Sequence, residues 1–210
     1  MSVVVAVRVL VVCTGNICRS PMAEVLLGAQ LAEAGVAAEV TSAGILYDGR
    51  PASTGAVAAM ASLGLDLSDH ASRTLTREMI AVADLVIGME PRHVREVVAL
   101  HDPAWTKTFT LRELARRAEG GPVRSSDEPL RTWLERLGAG RRRLDLLGDE
   151  AALSVLDPYR QDQSVYDATA ADLAAELRLL VSHAWPPTGT ELAPPTCELR
   201  EFGAQVRKVG

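Results

Sequence analysis

The chain has 210 residues, of which 48% are hydrophobic and 23% charged, with a formal net charge of −5 and a sequence pI near 5.4. This balance is typical of a globular domain with a packed core and excludes a disordered chain. The acidic charge argues against nucleic-acid and membrane partners, and three cysteines are too few for a disulfide-stapled fold, so we expect a cytoplasmic protein.

The first half of the chain predicts strands that alternate with helices. The apolar run 3–12 predicts a strand buried on both faces. It does not predict a targeting or membrane segment, because Arg8 interrupts it and it is too short to cross a bilayer. The other predicted elements are, in chain order, a helix from Ser20 and Pro21, a strand over 39–43, a helix over 54–63, a strand over 84–89, a helix from Pro91 and a strand over 107–111. Such alternation predicts a parallel sheet.

Residues 119–150 depart from this alternation. Two glycines and a proline at 120–122 break the chain before a charged helical stretch, which predicts a helical insertion. The three arginines at 141–143 lie far in sequence from Cys13, and we interpret them as a solvated surface. Helical periodicity returns over 164–184, and the proline-rich residues 186–210 predict a loose tail.

The sequence Cys-Thr-Gly-Asn-Ile-Cys-Arg-Ser-Pro at residues 13–21 lies between the first predicted strand and the first predicted helix. A loop at a helix N-terminus directs unpaired N–H groups and the positive end of the helix dipole to one point, which favours an oxyanion. A thiol there loses its proton readily, so we expect Cys13 to be a thiolate at neutral pH. Arg19 offers a planar fork of donors for two phosphate oxygens, and Gly15 is expected to permit the tight path of the loop.

This motif predicts a phosphatase that needs neither a metal nor a cofactor. The Gly-Lys-Ser/Thr ending of a nucleotide-binding P-loop is absent. The structural alternative makes Cys13 a small buried hydrophobe and Arg19 a surface cation. A cysteine followed six residues later by an arginine is common by chance, but the complete nonapeptide between a buried strand and a helix is not. We therefore favour the catalytic interpretation.

Four separated segments resemble the low-molecular-weight protein tyrosine phosphatases, including their bacterial members: residues 13–21, 42–44, 67–73 and 157–159. Their order and approximate spacing fit over about residues 5–183. The resemblance implies one α/β domain over residues 1–185, in which a central four-stranded parallel sheet has helices on both faces. It also implies hydrolysis of phosphotyrosine proteins through a phosphocysteine intermediate, a tyrosine autokinase as a family-level partner, and a monomer or weak dimer.

By motif, the resemblance makes Cys13 the nucleophile, Arg19 the phosphate clamp and Asp157 the general acid. A tyrosyl oxygen leaves poorly as an anion, so a carboxylic acid must protonate it and then activate the water that cleaves the intermediate. The alternative for Asp157 is an Asp-Pro turn. The other implied site residues are the phosphate-binding loop Thr14, Gly15, Asn16, Ile17, Cys18 and Ser20, the loop-supporting Ser42 and His70, and the pocket walls Leu46, Tyr47 and Tyr159.

The resemblance leaves some roles open. It implies that Ser20 hydrogen-bonds the thiolate, and that Cys18 can pair with Cys13 in a reversible disulfide, although Cys18 is equally well explained as a small buried side chain. Either Leu46 or Tyr47 can take the wall position that a tryptophan holds in other members. Arg160 stands where a second aromatic residue often follows Tyr159, so we expect a less aromatic pocket.

Three other functions remain open. A protein-arginine phosphatase shares this scaffold but characteristically has threonine where Ile17 stands. A thiol-linked arsenate reductase needs further relay cysteines, and only Cys18 and Cys197 are available. A catalytically inactive phosphoprotein-binding module would lack the nucleophile, the clamp or the acid, and all three are present. We therefore favour phosphotyrosine hydrolysis.

Overall fold

The computed structural model describes residues 6–146, 148 and 151–187, in which strands and helices alternate. The strands are β1 (Val7–Cys13), β2 (Ala38–Gly44), β3 (Leu85–Gly88) and β4 (Thr108–Thr110). The helices are α1 (Arg19–Glu33), α2 (Thr54–Ser62), α3 (Arg77–Val82), α4 (Pro91–Leu100), α5 (Leu111–Glu119), α6 (Leu130–Leu137) and α7 (Gln163–Ala184). The predicted α/β class is confirmed.

The four strands form one parallel sheet in the order β2-β1-β3-β4. Central strand β1 is buried on both faces, because Val9 and Val11 belong to one apolar cluster while Leu10 and Val12 belong to a second. Helices α1, α2, α5, α6 and α7 contribute to the first cluster, and α3 and α4 to the second. The sheet therefore has helices on both faces, as predicted.

Two helices were missing from the sequence prediction, and the first strand is shorter than expected. Helices α3 and α5 each begin after a threonine whose hydroxyl accepts a hydrogen bond from a backbone N–H of the first turn, Thr76 from Met79 and Thr110 from Glu113. Strand β1 begins at Val7, and residues 3–5 of the predicted strand lie outside the described residues.

The region predicted as an insertion carries α6, whose Trp133 is fully buried in the larger apolar cluster. The expectation that residues 141–143 are a solvated surface is wrong for Arg141. Its side chain is 3% exposed, bonds the Glu113 carboxylate, and lies 4.1 Å from the ring centre of Trp105 and 3.8 Å from that of Phe109. Residues 188–210, with Cys197 and most of the predicted tail, lie outside the described residues.

Candidate active site

The predicted phosphate loop lies at the carboxyl edge of the sheet, where β1 ends at Cys13 and α1 begins at Arg19. In an open parallel sheet this edge is where ligands bind, since the strand ends and the helix N-termini meet there. A cavity of about 170 Å³ opens above the loop. It is lined by Cys13, Thr14, Gly15, Ile17, Cys18, Arg19, Leu46, Tyr47, Asp157 and Tyr159.

Cys13 lines this cavity although the residue is only 2% exposed. Its sulfur accepts hydrogen bonds from the backbone N–H of Asn16 at 3.2 Å and from the hydroxyl of Ser20 at 3.0 Å. Both donors stabilise negative charge on sulfur, since hydrogen bonds to an ionised acceptor are stronger than those to a neutral one. The contact predicted for Ser20 is present.

Asn16 is the centre of the network that braces the loop. Its Nδ2 donates to Ser20 at 2.9 Å and to Ser42 at 2.7 Å. Its Oδ1 accepts from the backbone N–H of Arg73 at 2.8 Å, and its carbonyl accepts from Nε2 of His70 at 2.7 Å. Every polar group of this buried side chain is therefore satisfied, and the structure brings Ser42 and His70 to the loop as predicted.

The residue with an unusual backbone conformation in the loop is Asn16 and not Gly15, which was expected from the sequence to permit the tight path. Asn16, with φ of 51°, takes the left-handed conformation, whereas Gly15 does not. Gly15 is constrained by space instead, because a Cβ atom there would lie 3.2 Å from the Tyr47 ring. Gly44, at the end of β2, is tighter still, since a Cβ atom would lie 2.8 Å from the backbone nitrogen of Asn16.

Arg19 is buried beneath the cavity, with a side chain only 3% exposed. Its Nη2 donates to Oδ2 of Asp157 at 2.7 Å, and its Nη1 donates to Glu90 at 3.1 Å and to the carbonyl of Val155 at 3.2 Å. The guanidinium is thus held from two sides. Asp157, 138 residues away in sequence, reaches the same cavity as Cys13, so the structure brings together the three predicted catalytic residues.

The pocket walls come from two loops. Leu46 and Tyr47, from the loop after β2, both line the cavity. The wall position for which the sequence offered either residue is therefore occupied by both. Tyr159, two residues after Asp157, lines the same cavity, as does Ile17 of the phosphate loop. The cavity is therefore lined by two aromatic rings and two aliphatic side chains, which are those of the predicted site residues.

Sequence reasoning missed several polar residues of the site. Glu24 accepts a hydrogen bond of 2.5 Å from Ser42, and Glu90 anchors Arg19. Glu24 lies one helical turn after Ser20, and Glu90 follows β3 at the same sheet edge as Cys13. The sequence could have indicated both residues. Glu24 shares a helix face with Ser20, because residues one turn apart lie on the same side of a helix. Glu90 follows a parallel strand, and parallel strands end at one edge of the sheet.

A buried histidine also supports the loop. Nε2 of His93 lies 3.1 Å from the hydroxyl of Thr14, which also accepts a hydrogen bond from Arg92. Burial, followed by the positive charges of Arg19, Arg92 and Arg95, lowers the pKa of His93 from 6.5 to about 2. His93 is therefore a neutral hydrogen-bonding partner of the loop throughout the physiological pH range.

Cys18 faces a different environment from Cys13. Its sulfur lies 3.1 Å from the hydroxyl of Ser53 and 3.8 Å from that of Tyr166. Burial raises the pKa of the Cys18 thiol, so it stays protonated at neutral pH. Both cysteines are free thiols. The disulfide between them stays a prediction.

A family model described as low molecular weight phosphotyrosine protein phosphatase matches residues 8–144. The chain belongs to this family. The family and the phosphatase class predicted from the sequence are thereby confirmed, and the phosphate loop of this phosphatase lies inside the match. Asp157 lies beyond the match, so its place in the site depends on its contact with Arg19.

Individual relatives of this phosphatase carry two different names. It is 38% identical over 133 residues to "Probable low molecular weight protein-tyrosine-phosphatase EpsP" of Ralstonia nicotianae, covering 63% of this chain and 89% of that protein. It is 37% identical over 142 residues to "Protein-arginine-phosphatase" of Geobacillus stearothermophilus, covering 62% and 93%. The crystal structure of the low molecular weight protein tyrosine phosphatase from T. tengcongensis matches with a TM-score of 0.64 and 32% identity, covering 84% of this chain and 99% of that one.

Two further properties of the phosphatase concern metals and membranes. Among residues 6–146, 148 and 151–187, no group of three or more histidine, cysteine, aspartate or glutamate side chains is arranged to hold a metal ion. None of the helices in the described part of the chain combines the length and apolarity needed to cross a membrane.

Proposed function

We propose that this phosphatase hydrolyses phosphotyrosine in proteins, with Cys13 as nucleophile, Arg19 as phosphate clamp and Asp157 as general acid and base. The observation that carries the proposal is that these three side chains, from three separate parts of the chain, line one cavity. Thr14, Gly15, Asn16, Ile17, Cys18 and Ser20 form the cradle, Ser42 and His70 brace it, and Leu46, Tyr47 and Tyr159 form the walls.

In the first step the Cys13 sulfur attacks phosphorus and the bond from phosphorus to the tyrosyl oxygen breaks. Arg19 follows the charge of the transferring phosphoryl group, and this is the group that its fork of donors fits best. The Asp157 carboxyl gives its proton to the leaving phenolic oxygen. The products are free tyrosine hydroxyl and a phosphocysteine at residue 13.

In the second step a water molecule attacks the phosphocysteine. Asp157, now a carboxylate, takes the proton from this water, and the bond between sulfur and phosphorus breaks to release phosphate. Cys13 leaves as a thiolate, and the hydrogen bonds from Asn16 and Ser20 stabilise that leaving group. One short network therefore serves both steps.

The choice of tyrosine over arginine depends on the pocket, because relatives with both names share similar identity with this chain. Ile17 lines the cavity, and the Tyr47 and Tyr159 rings, which line it as well, suit a planar phenyl group. The aliphatic side chain of Ile17 offers no hydrogen bond to a guanidinium. These features favour phosphotyrosine.

Four finer predictions accompany this function. Residues 1–185 form the phosphatase domain, with an insertion over 119–150 and a tail over 186–210. The substrate protein is phosphorylated by a tyrosine autokinase. The enzyme acts in the cytoplasm as a monomer or weak dimer. Cell fractionation tests the cytoplasmic location, and sedimentation of the full chain tests the oligomeric state.

The test of the function compares matched phosphotyrosine, phosphoarginine and phosphoserine peptides, without added metal, using the wild type, Cys13→Ser and Ile17→Thr. We expect Cys13-dependent hydrolysis selective for phosphotyrosine, and a shift toward phosphoarginine in Ile17→Thr. Intact-protein mass spectrometry of the acid-quenched enzyme should detect a phosphate adduct that Cys13→Ser lacks. Selectivity of the wild type for phosphoarginine would contradict the assignment.

A further inference from the structure

Two arginines lie against the aromatic walls of the active-site cavity. The guanidinium carbon of Arg50 lies 3.9 Å from the centre of the Tyr47 ring, and that of Arg160 lies 5.2 Å from the centre of the Tyr159 ring. Both distances are within the range of cation–π attraction. Each cation is therefore held beside the mouth of the cavity by a side chain that lines it.

Neither guanidinium lies within ion-pair distance of a carboxylate of the described residues. Several exposed arginines elsewhere in the described part of the chain form ion pairs, as Arg136 does with Glu128 at 2.7 Å and Arg142 with Asp145 at 2.8 Å. Within the described residues, Arg50 and Arg160 form no ion pair, although the chain has more acidic than basic residues. Their exposed charges remain free to bind a carboxylate from another molecule.

The backbone at Arg160 adds a second observation. Its φ of 63° is in the left-handed region, which only Asn16 shares among the described non-glycine residues. A long side chain is disfavoured in this conformation, and such outliers concentrate at functional sites. The other outlier is the centre of the phosphate loop, and Arg160 follows the loop that carries Asp157 and Tyr159.

We propose that Arg50 and Arg160 form a basic rim that binds acidic residues next to the phosphotyrosine of the substrate. The proposal deepens the proposed function and rests on it. The rim borders the two loops that carry the aromatic walls, so a phosphotyrosine seated on Cys13 places its neighbours in the peptide beside these cations. A substrate with aspartate or glutamate there gains two exposed charge pairs, while a substrate with lysine or arginine is repelled.

The test measures kcat/KM for three phosphotyrosine peptides that differ only in flanking residues: glutamate, glutamine or lysine. Exposed charge pairs change affinity about two- to fivefold each, so the wild type should favour the glutamate peptide over the glutamine peptide about tenfold. The preference should fall about two- to fivefold in Arg50→Gln and in Arg160→Gln, and disappear in the double variant. It should also shrink in about 1 M salt, where the screening length is about 3 Å.

Matched variants separate charge at the rim from charge in general. Arg131→Gln removes one positive charge from a different cavity, which Arg8 at the amino-terminal end of β1 also lines, and should keep the full preference. Arg50→Lys and Arg160→Lys retain the positive charge and should therefore retain most of the preference for the glutamate peptide. Thermal unfolding checks that each variant is folded, and activity on p-nitrophenyl phosphate normalises each ratio.

Equal kcat/KM for the glutamate and glutamine peptides in the wild type would overturn the basic rim. A preference that survives in the double variant would overturn it as well. Failure of the wild type to hydrolyse any of the three peptides is a different result: it would overturn the proposed function, and the rim with it.

Discussion

Oδ2 of Asp157 accepts a hydrogen bond of 2.7 Å from Nη2 of Arg19, so the proposed general acid is paired with the proposed phosphate clamp. Asp157 is 46% exposed while Arg19 is 3% exposed, and Arg19 is also held by Glu90. We therefore expect a phosphate bound by Arg19 to displace the exposed Asp157 carboxyl rather than Glu90. The displaced carboxyl would then be free to donate to the leaving oxygen.

This pairing predicts how Asp157→Asn behaves. The amide cannot donate a proton to the leaving group, so kcat should fall about 10²- to 10⁴-fold for phenyl phosphate, a poor leaving group. The loss should be much smaller for p-nitrophenyl phosphate, whose phenolate leaves without help. Steady-state kinetics on the two substrates give the ratio. Equal losses would exclude Asp157 as the acid.

Asn16 permits a comparison of backbone and side-chain effects at one position. Asn16→Gly introduces a residue that tolerates the left-handed φ but deletes the hydrogen bonds to Ser20, Ser42 and the Arg73 backbone. Asn16→Ala deletes the same bonds and adds strain. We expect both variants to lose kcat, with the alanine variant less stable by about 1 kcal/mol.

Urea unfolding of the two Asn16 variants measures this difference, and Ser62→Ala serves as a control because Ser62 only bonds the carbonyl of Ala59 within α2. Equal stability of the glycine and alanine variants would show that the left-handed backbone is not strained. Wild-type kcat in both would show that the network does not support catalysis.

The sequence predicted those parts of the site whose residues are close together in the chain, and it missed contacts between residues that are far apart. Cys13, Arg19 and Ser20 belong to one nonapeptide, and the strand before it and helix after it have clear periodicity. The partners of Asn16 come from residues 42, 70 and 73, which only the family resemblance brought near. The contact between Thr14 and His93 has no local signature, because it spans 79 residues and joins the phosphate loop to the first turn of α4, which meet only in the folded protein.

Arg141 illustrates the same limit outside the site. A run of three arginines has the composition of a solvated surface, and Arg142 and Arg143 are indeed exposed. Arg141 is buried because Trp105 and Phe109 stack on its guanidinium and Glu113 neutralises it. Each of these residues is at least 28 positions away in sequence, so no sequence window contains the arrangement.

Arg141→Met tests this structural role. The variant leaves the buried Glu113 carboxylate with only Arg117 as an ion-pair partner and removes two bonds to backbone carbonyls. Because Arg117 still neutralises Glu113, the loss should be smaller than that for a charge left unpaired, and we expect the free energy of unfolding to fall by about 1–3 kcal/mol. Below the unfolding transition, kcat should equal that of the wild type. Arg142→Met, at an exposed position next to it, should change stability little.

His93 gives stability a pH dependence with a defined sign. Its folded pKa of about 2 lies below the value of 6.5 expected when the chain is unfolded, so between these values the unfolded state binds one more proton. The contribution is fully present above pH 6.5 and is lost as pH falls, by about 1.4 kcal/mol for each pH unit. Between pH 6.5 and 5, above the range where most carboxylates titrate, the wild type should lose about 2 kcal/mol through this residue.

His93→Gln removes the titrating group while placing an amide nitrogen near the position of Nε2, so it can keep the bond to Thr14. The free energy of unfolding of this variant should therefore depend less on pH between 6.5 and 5 than that of the wild type, whatever its stability at neutral pH. Urea unfolding at several pH values gives both slopes, and the other histidines contribute equally to each. Parallel slopes would mean that His93 takes up a proton in the folded protein, and its buried contact with the phosphate loop would then have to carry a positive charge next to Arg19.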